Sequence, residues 1–211
     1  MKYSIVIPTL NEETTLISNL NFFLSLKEKL EAEIVVVDGQ SWDKTKEIAR
    51  SFTDKLYDIK PSRSSQLNKG VMHSDGEYYI FLHADTVITD KGINSISNIN
   101  DDFRWGFFQV KLDQKSLGYN FLTFCINLRS RLFKYCTGDQ VLVVKKSTFY
   151  EVNGFKEIDL MEDIDISNRL KKMFDPQILD GQAITSSRRW QKYGYLRTIL
   201  VMRLIRLLFY L

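Results

Sequence analysis

The polarity pattern of this chain changes period several times along its length. "YSIVI" (3–7) is an unbroken β-branched apolar run stopped by Pro8, the mark of a strand buried on both faces. Leu16, Leu20, Phe23 and Leu24 then recur at helical spacing, behind Glu12 and Glu13 in the first turn and Asn11 as the N-cap. "EIVVVD" (33–38) predicts a second buried strand, "DKTKEIARSF" (43–52) a second helix, and "YYIFLHAD" (78–85) a later strand. "GFFQVKL" (106–112) and "QVLVVKK" (140–146) predict two more strands, with a long, mainly apolar stretch between them. Strand, helix, strand, helix, strand at this spacing predicts an α/β fold around a parallel sheet.

The length of 211 residues suits one domain, and 44% hydrophobic with 26% charged residues excludes a disordered chain. The net charge of +3 hides an asymmetry. No acid follows Asp180, yet six bases do, which leaves the preceding part at −3. A basic tail on a mildly acidic body predicts a local anionic partner and argues against nucleic-acid binding throughout. Cys125 and Cys136 show no metal-ligand spacing and fit a reducing, cytoplasmic setting; "MKYSIVIPTLNEE" reads as a strand, not a signal peptide. The tail "YGYLRTILVMRLIRLLFYL" (193–211) is broken by Arg197, Arg203 and Arg206, so it is a poor spanning segment. Arg203 and Arg206 share a helix face, and Leu200, Leu204, Leu207, Leu208 and Leu211 lie mostly on the remainder. Two readings stay open. Either the tail packs on the domain or on a partner chain in an oligomer, or it lies in the plane of a membrane with its arginines on anionic headgroups. The expected division is residues 1–190 as one domain and 191–211 as the tail.

In open α/β sheets, ligands bind beyond the carboxyl ends of the strands. Here those ends carry "PTLNEE", "DGQSWDKT" with Asp38 at the tip, and "HADT" with Asp85 at the tip. Neither G-x-G-x-x-G nor G-x-x-x-x-G-K-[ST] is present, which disfavours a dinucleotide fold and a P-loop. Asp38 could accept a proton from a base or ribose hydroxyl, and Asp85 could hold a hard cation against a diphosphate. "GFKEIDLMEDIDISNRLKKM" (154–173) sets Glu162 and Asp163 in the first turn of a helix. Acids there either complement the helix dipole or supply a catalytic base.

Together "SIVIPTLNEE", "VVVDGQSWDKT", "FLHADT", "GF" at 154–155 and "MEDIDISNRL" resemble, in order and spacing, a family 2 glycosyltransferase of the GT-A fold over residues 3–190. The subgroup it most resembles also carries "SRSSQLNKG" (62–70) and "SSRRW" (186–190), and some of its members are named for arsenosugar biosynthesis. The resemblance implies a single Rossmann-like nucleotide-diphospho-sugar transferase domain with a mixed, mainly parallel sheet. It implies that Pro8, Thr9, Asn11 and Glu12 lie against base and ribose and that Asp38 reads the base. Asp85, preceded by Ala84, matches the second acid of the family's metal-binding Asp-x-Asp, so a divalent cation, Mn²⁺ or Mg²⁺, is expected. The first acid is replaced by His83, which suits Mn²⁺ better than Mg²⁺ as a ligand and could instead contact ribose or phosphate. Arg63 is expected on a phosphate, Gln66 or Asn68 beside the donor, and Gly138 and Asp139 along the donor sugar; a solvated helix and a plain turn are the simpler readings of these two segments. Arg188, Arg189 and Trp190 match the family's Arg-Trp motif with Ser186 in place of its Gln, which disfavours a processive polymerase. Arg189 would stabilise the leaving diphosphate and Trp190 would wall the acceptor site. Asp163 matches the base that deprotonates the acceptor, with Glu162 tuning it. A single base implies displacement with inversion. The expected activity is transfer of one sugar from a nucleotide donor, UDP-sugar favoured over GDP-sugar, to an acceptor hydroxyl at or near a membrane. A nucleotidyltransferase, or a non-catalytic nucleotide-sugar-binding protein if His83 removes the metal, are the alternatives.

Overall fold

The computed structural model describes residues 2–53 and 55–210, apart from the side chains of Leu196 and Tyr210; Leu211 of the expected apolar tail face lies outside the described residues. β1 (Tyr3–Thr9) lies between β2 (Glu33–Asp38) and β4 (Tyr78–Phe81), parallel to both, and β3 (Lys55–Asp58) extends the parallel set beside β2. The apolar run of β1 is buried because helices cover both faces. Ile5 and Ile7 pack with Leu16, Phe23 and Leu26 of α1 (Glu13–Lys29), while Val6 packs with Leu67 and Val71 of α3 (Arg63–Met72). Gly70 makes the second contact feasible: a Cβ there would lie 2.4 Å from Val6 Cγ1.

β1 continues through Pro8 instead of stopping at it. Val6 accepts from Leu82 N on the β4 side, and Pro8, two residues on, turns its missing donor the same way. The last β1–β4 pair is Val6 with Phe81, so no ladder bond is lost at Pro8. β4 likewise ends earlier than the expected 78–85, because Thr86 N donates to His83 O at 3.1 Å and turns the chain into β5 (Thr86–Ile88). α2 is only Thr45–Ala49, shorter than the expected 43–52. Asn11 does not cap α1; its φ is +53°, and the N–H groups of Glu12 and Glu13 bond to Thr45 Oγ1 (2.8 Å) and Asp43 Oδ2 (3.2 Å). The cap comes from a distant loop, not from the adjoining residue.

The remaining strands make the sheet mixed. β7 (Leu142–Lys145) runs antiparallel to β4, β6 (Trp105–Leu112) antiparallel to β7, β8 (Gln177–Thr185) parallel to β6, and β5 antiparallel to β8. The order is β3-β2-β1-β4-β7-β6-β8-β5. The apolar stretch between β6 and β7 is a helix, α5 (Leu117–Phe133); α4 (Asp90–Ser97), α6 (Lys146–Glu151), α7 (Glu162–Met173), α8 (Arg188–Tyr193) and α9 (Tyr195–Tyr210) complete the chain. α9 packs Met202, Ile205 and Phe209 on Tyr135, Met161 and Ile164. Among the described residues, no helix is long and apolar enough to cross a membrane.

Candidate active site

The pairing of β5 with β8 assembles the site. Thr86 sits opposite Thr185, with Thr86 Oγ1 donating to Thr185 Oγ1 at 3.1 Å, and α8 therefore starts beside the His83–Asp85 turn. Arg188 reaches across it. Its guanidinium donates to Glu12 Oε1 (2.7 Å), Glu12 Oε2 (3.0 Å) and Thr15 Oγ1 (3.1 Å), and it lies 3.4 Å from Asp85 Oδ2. The sequence points to Arg189 as the phosphate partner, but Arg188 is the arginine that touches Asp85. Arg189 is exposed, and its charge is felt at His83; Trp190 is half-buried.

Along the tips of β1 and β2, the expected nucleotide residues mainly hold one another. Asp38 is fully buried and accepts from Thr9 Oγ1 (2.9 Å), Ser41 N (2.7 Å) and Ser41 Oγ (2.6 Å). Its carboxylate therefore shapes this edge and presents no surface to a base. Asn11 bonds the same loop, through Ser41 Oγ to its N–H (2.8 Å) and Trp42 N to its Oδ1 (3.1 Å). Gln66, expected beside the donor, is buried and donates to Thr9 O (2.9 Å) and Val37 O (2.8 Å), tying the two strand ends together. Asn68 clamps Phe155, donating to its carbonyl at 2.7 Å and accepting from its N–H at 3.0 Å. Both amides are engaged by the chain itself.

The Glu162–Asp163 pair begins α7 as expected, and its two members differ. Met161 enters the helix at φ +68°, which turns Glu162 inward to 5% exposure, 3.7 Å from Arg63 Nε. Burial pushes the Glu162 carboxyl up, the Asp163 charge adds to this, and Arg63 opposes it. Asp163 is half-buried, accepting from Gly138 N at Oδ2 and from Ile164 N at Oδ1, both at 2.7 Å. Burial raises its carboxyl above the ordinary aspartate range; the two N–H bonds pull it back, and the charge of Asp139 raises it again. Asp163 therefore has two acidic neighbours, Asp139 and Glu162.

The turn that carries Gly138 and Asp139 is held under strain. Gly138–Gln140 forms one 3₁₀ turn behind a Thr137 capping box, and buried Gln140 accepts from Ser130 Oγ at 2.8 Å. Val141, β-branched and fully buried, follows at φ +53° and ψ +97°, outside the regions such residues favour. Gly138 lies flat against His83: a Cβ there would be 2.3 Å from His83 Cε1 and 2.4 Å from Nε2. Burial, then the charges of Arg63 and Arg189, hold the His83 imidazole well below its usual range, so it is neutral near pH 7. A cavity of about 20 Å³ lies between His83, Gly138, Glu162 and Asp163, closed by Leu67, Phe81, Leu142, Phe155 and Cys136. Burial pushes the Cys136 thiol up to about 12, which makes it a packing group and not a nucleophile. A larger hollow of about 490 Å³ between α4 and β8 holds none of the site residues.

The contact of Gly138 with His83 gives a direct test. Gly138→Ala should lower stability by about 1–3 kcal/mol, the cost of overpacking. His83→Ala in the same chain should recover most of that loss in thermal unfolding. A double variant as unstable as Gly138→Ala alone would mean that His83 does not set the fit.

Asp85 fits a divalent cation in one respect. Burial raises its carboxyl, the charges of Glu12 and Asp139 raise it further, and Arg188 offsets only part of this, so a bound cation would relieve real repulsion. His83 fits poorly, because its Nε2 faces the Gly138 turn. Among the described residues no three His, Cys, Asp or Glu side chains converge as a ligand set, so phosphate oxygens would have to complete the shell.

Comparisons with known proteins bear on family and fold. The model of glycosyl transferase family 2 matches residues 4–117, just over half of the chain. A probable glycosyltransferase, YdaM of Bacillus subtilis, is 27% identical over 196 residues, covering 80% of this chain and 46% of the relative. The poly(ribitol-phosphate) β-N-acetylglucosaminyltransferase TarS of Staphylococcus aureus is 26% identical over 121 residues, 53% of this chain and 21% of the relative. The chain thus spans less than half of these curated relatives. The crystal structure of TarS residues 1–349 with UDP-GlcNAc superposes with TM-score 0.67 at 17% identity, over 88% of this chain and 58% of that one. The mannosyltransferase PcManGT of Pyrobaculum calidifontis with GDP-Man and Mn²⁺ gives 0.65 at 17% identity, over 87% and 56%. Such structural likeness at low identity establishes the expected GT-A architecture. With the family model spanning β1 through the start of α5, the chain belongs to glycosyl transferase family 2.

Proposed function

We propose that the chain transfers one sugar from a nucleoside-diphosphate donor to an acceptor hydroxyl, with inversion. The observation that carries this is Asp163: a carboxylate of raised affinity for protons, aimed by two main-chain N–H bonds and facing the cavity shared with His83. In this reading Asp163 takes the acceptor proton as the acceptor oxygen bonds to the anomeric carbon. The bond from that carbon to the diphosphate breaks, and its electron pair leaves with the phosphate. Arg188 and Arg189 meet the charge that develops there. Pro8, Thr9, Asn11 and Glu12 form the edge for base and ribose, Asp139 and Gly138 border the sugar, and Trp190 borders the acceptor. Asp85 would hold a divalent cation, which supplies charge neutralisation to the diphosphate when bound.

UDP-sugars are the favoured donors and GDP-sugars the alternative, in line with the nucleotides held by TarS and PcManGT. The narrower kinship to the subgroup with "SRSSQLNKG" and "SSRRW" is part of the proposal and fixes no substrate. So are the division at residue 190, a cytoplasmic location, and a membrane role for the tail. A thermal-shift panel of UDP, GDP, dTDP and CDP, each with Mn²⁺, Mg²⁺ or chelator, tests the donor. A ligand at 100 times its Kd adds about 2.7 kcal/mol of stability. UDP or GDP should stabilise the chain most, and more with metal. A chain indifferent to all four diphosphates would overturn the reading.

A further inference from the structure

Two helices expose apolar stripes that the body of the protein does not cover. α5 presents Leu117 (90% exposed), Phe121 (69%), Phe124, Leu128 and Leu132, spaced by four or three residues so that they fall on one face. α9 presents Leu200, Val201, Leu204, Leu207 and Leu208 in the same way. The helices lie side by side. The rings of Tyr119 and Tyr195 are 4.9 Å apart near their starts, and further along Arg206 acts electrostatically on Arg129. Exposed apolar stripes of this length are rare on a monomer unless something binds them.

Charge says what binds. Residues 114–138 and 181–211 hold ten bases and no acid, while in the rest of the chain acids exceed bases by seven. The acid-free segments are the two that carry the exposed stripes. Arg197 and Arg203 stand exposed on α9, and an anionic surface would complement them.

We propose that α5 and α9 together form a docking face for an anionic phospholipid bilayer, with the apolar stripes in the acyl boundary and the exposed Arg197 and Arg203 on headgroup phosphates. α5 shares the role, so the face is wider than the tail. The inner side of α9 packs on Met161 and Ile164, the residues that flank Glu162 and Asp163. The bilayer then lies roughly one helix diameter, about 10 Å, from Asp163. Resting on the glycosyl-transfer reading, this presents an acceptor carried in the membrane to the base.

The test is co-sedimentation of the full chain with phosphatidylcholine vesicles, with and without phosphatidylglycerol, at low and physiological salt. The wild type should sediment with the anionic vesicles, less so as salt rises. Phe121→Glu with Phe124→Glu in α5, and separately Leu204→Glu with Leu208→Glu in α9, should each reduce partitioning roughly tenfold or more, at an unchanged unfolding midpoint. Arg197→Gln with Arg203→Gln should reduce the preference for anionic over neutral vesicles. Three results would overturn the proposal: no binding to anionic vesicles at low salt, full binding by the α5 variant, or a stable dimer by light scattering that the α5 variant converts to monomer. The last would assign the face to a second copy of this chain. Nucleotide is absent from the assay, so its failure is separate from failure of the donor panel.

Discussion

Asp163→Asn should bind the nucleoside diphosphate almost as well as the wild type and turn over roughly a hundredfold more slowly or worse, the scale of losing a general base. Both carboxylate oxygens accept main-chain N–H groups, from Gly138 and Ile164. An asparagine can satisfy one of these with its carbonyl and must turn its own NH₂ toward the other. The variant should therefore also lose about 1–3 kcal/mol of stability, the cost of an unsatisfied buried donor. That side effect is separable: calorimetric affinity for the diphosphate reports the donor side, and release of nucleoside diphosphate from the donor reports turnover. In the wild type the acid limb of the rate profile should lie above the ordinary aspartate range, because burial and Asp139 both hold the proton on Asp163. Removing the neighbouring charge with Asp139→Asn should move that limb to lower pH. Near-normal turnover by Asp163→Asn with saturating acceptor would make Asp163 a structural anchor for the Gly138 turn.

The parts of this site that were legible in sequence are those set by local pattern. β1, β2 and β4 were recognisable as strands, though not in every bound, because strands buried on both faces are continuous apolar runs. The N-terminal turn of α7 read correctly because two acids before helical periodicity belong in a first turn. What failed depends on distant pairing. β8 buries only Leu179, Ala183 and Thr185 and carries Gly181 at φ +95°, packed so tightly on α4 that a Cβ would lie 2.4 Å from Gly92 N, so it lacks the apolar run of a buried strand. β5 has three residues, and its partner lies 99 positions away. Without that pairing nothing in "SSRRW" says which arginine meets Asp85. Asn11 and Asp38 show the same limit: their residue types were informative, yet Ser41 and Trp42 engage Asn11, and Thr9 and Ser41 engage Asp38. Neighbours in sequence also mislead within a helix. Successive residues diverge by about 100° around its axis, so Glu162 turns to Arg63 while Asp163 turns to the Gly138 turn.

Asp85→Ala should weaken diphosphate binding in Mn²⁺ by roughly tenfold or more, the scale of losing a metal-site carboxylate, and by much less in chelator. The asymmetry follows from the neighbours of Asp85. With no divalent ion added, its Oδ2 faces only Arg188, and that arginine is bound more closely to Glu12. Removing Asp85 then takes one weak restraint from Arg188, which keeps its bonds to Glu12 and Thr15. With Mn²⁺ present, the same substitution removes the one carboxylate whose repulsion by Glu12 and Asp139 a cation would relieve. Arg188→Ala should behave in the opposite sense: it exposes Asp85 and Glu12 to each other, deepens the need for a cation, and makes diphosphate binding depend more on Mn²⁺. Titrations of the two variants with and without metal, on one nucleoside diphosphate, separate the roles. Equal losses for Asp85→Ala in Mn²⁺ and in chelator would show that Asp85 serves the site through Arg188 alone, and the guanidinium would then be the cation on which the diphosphate rests.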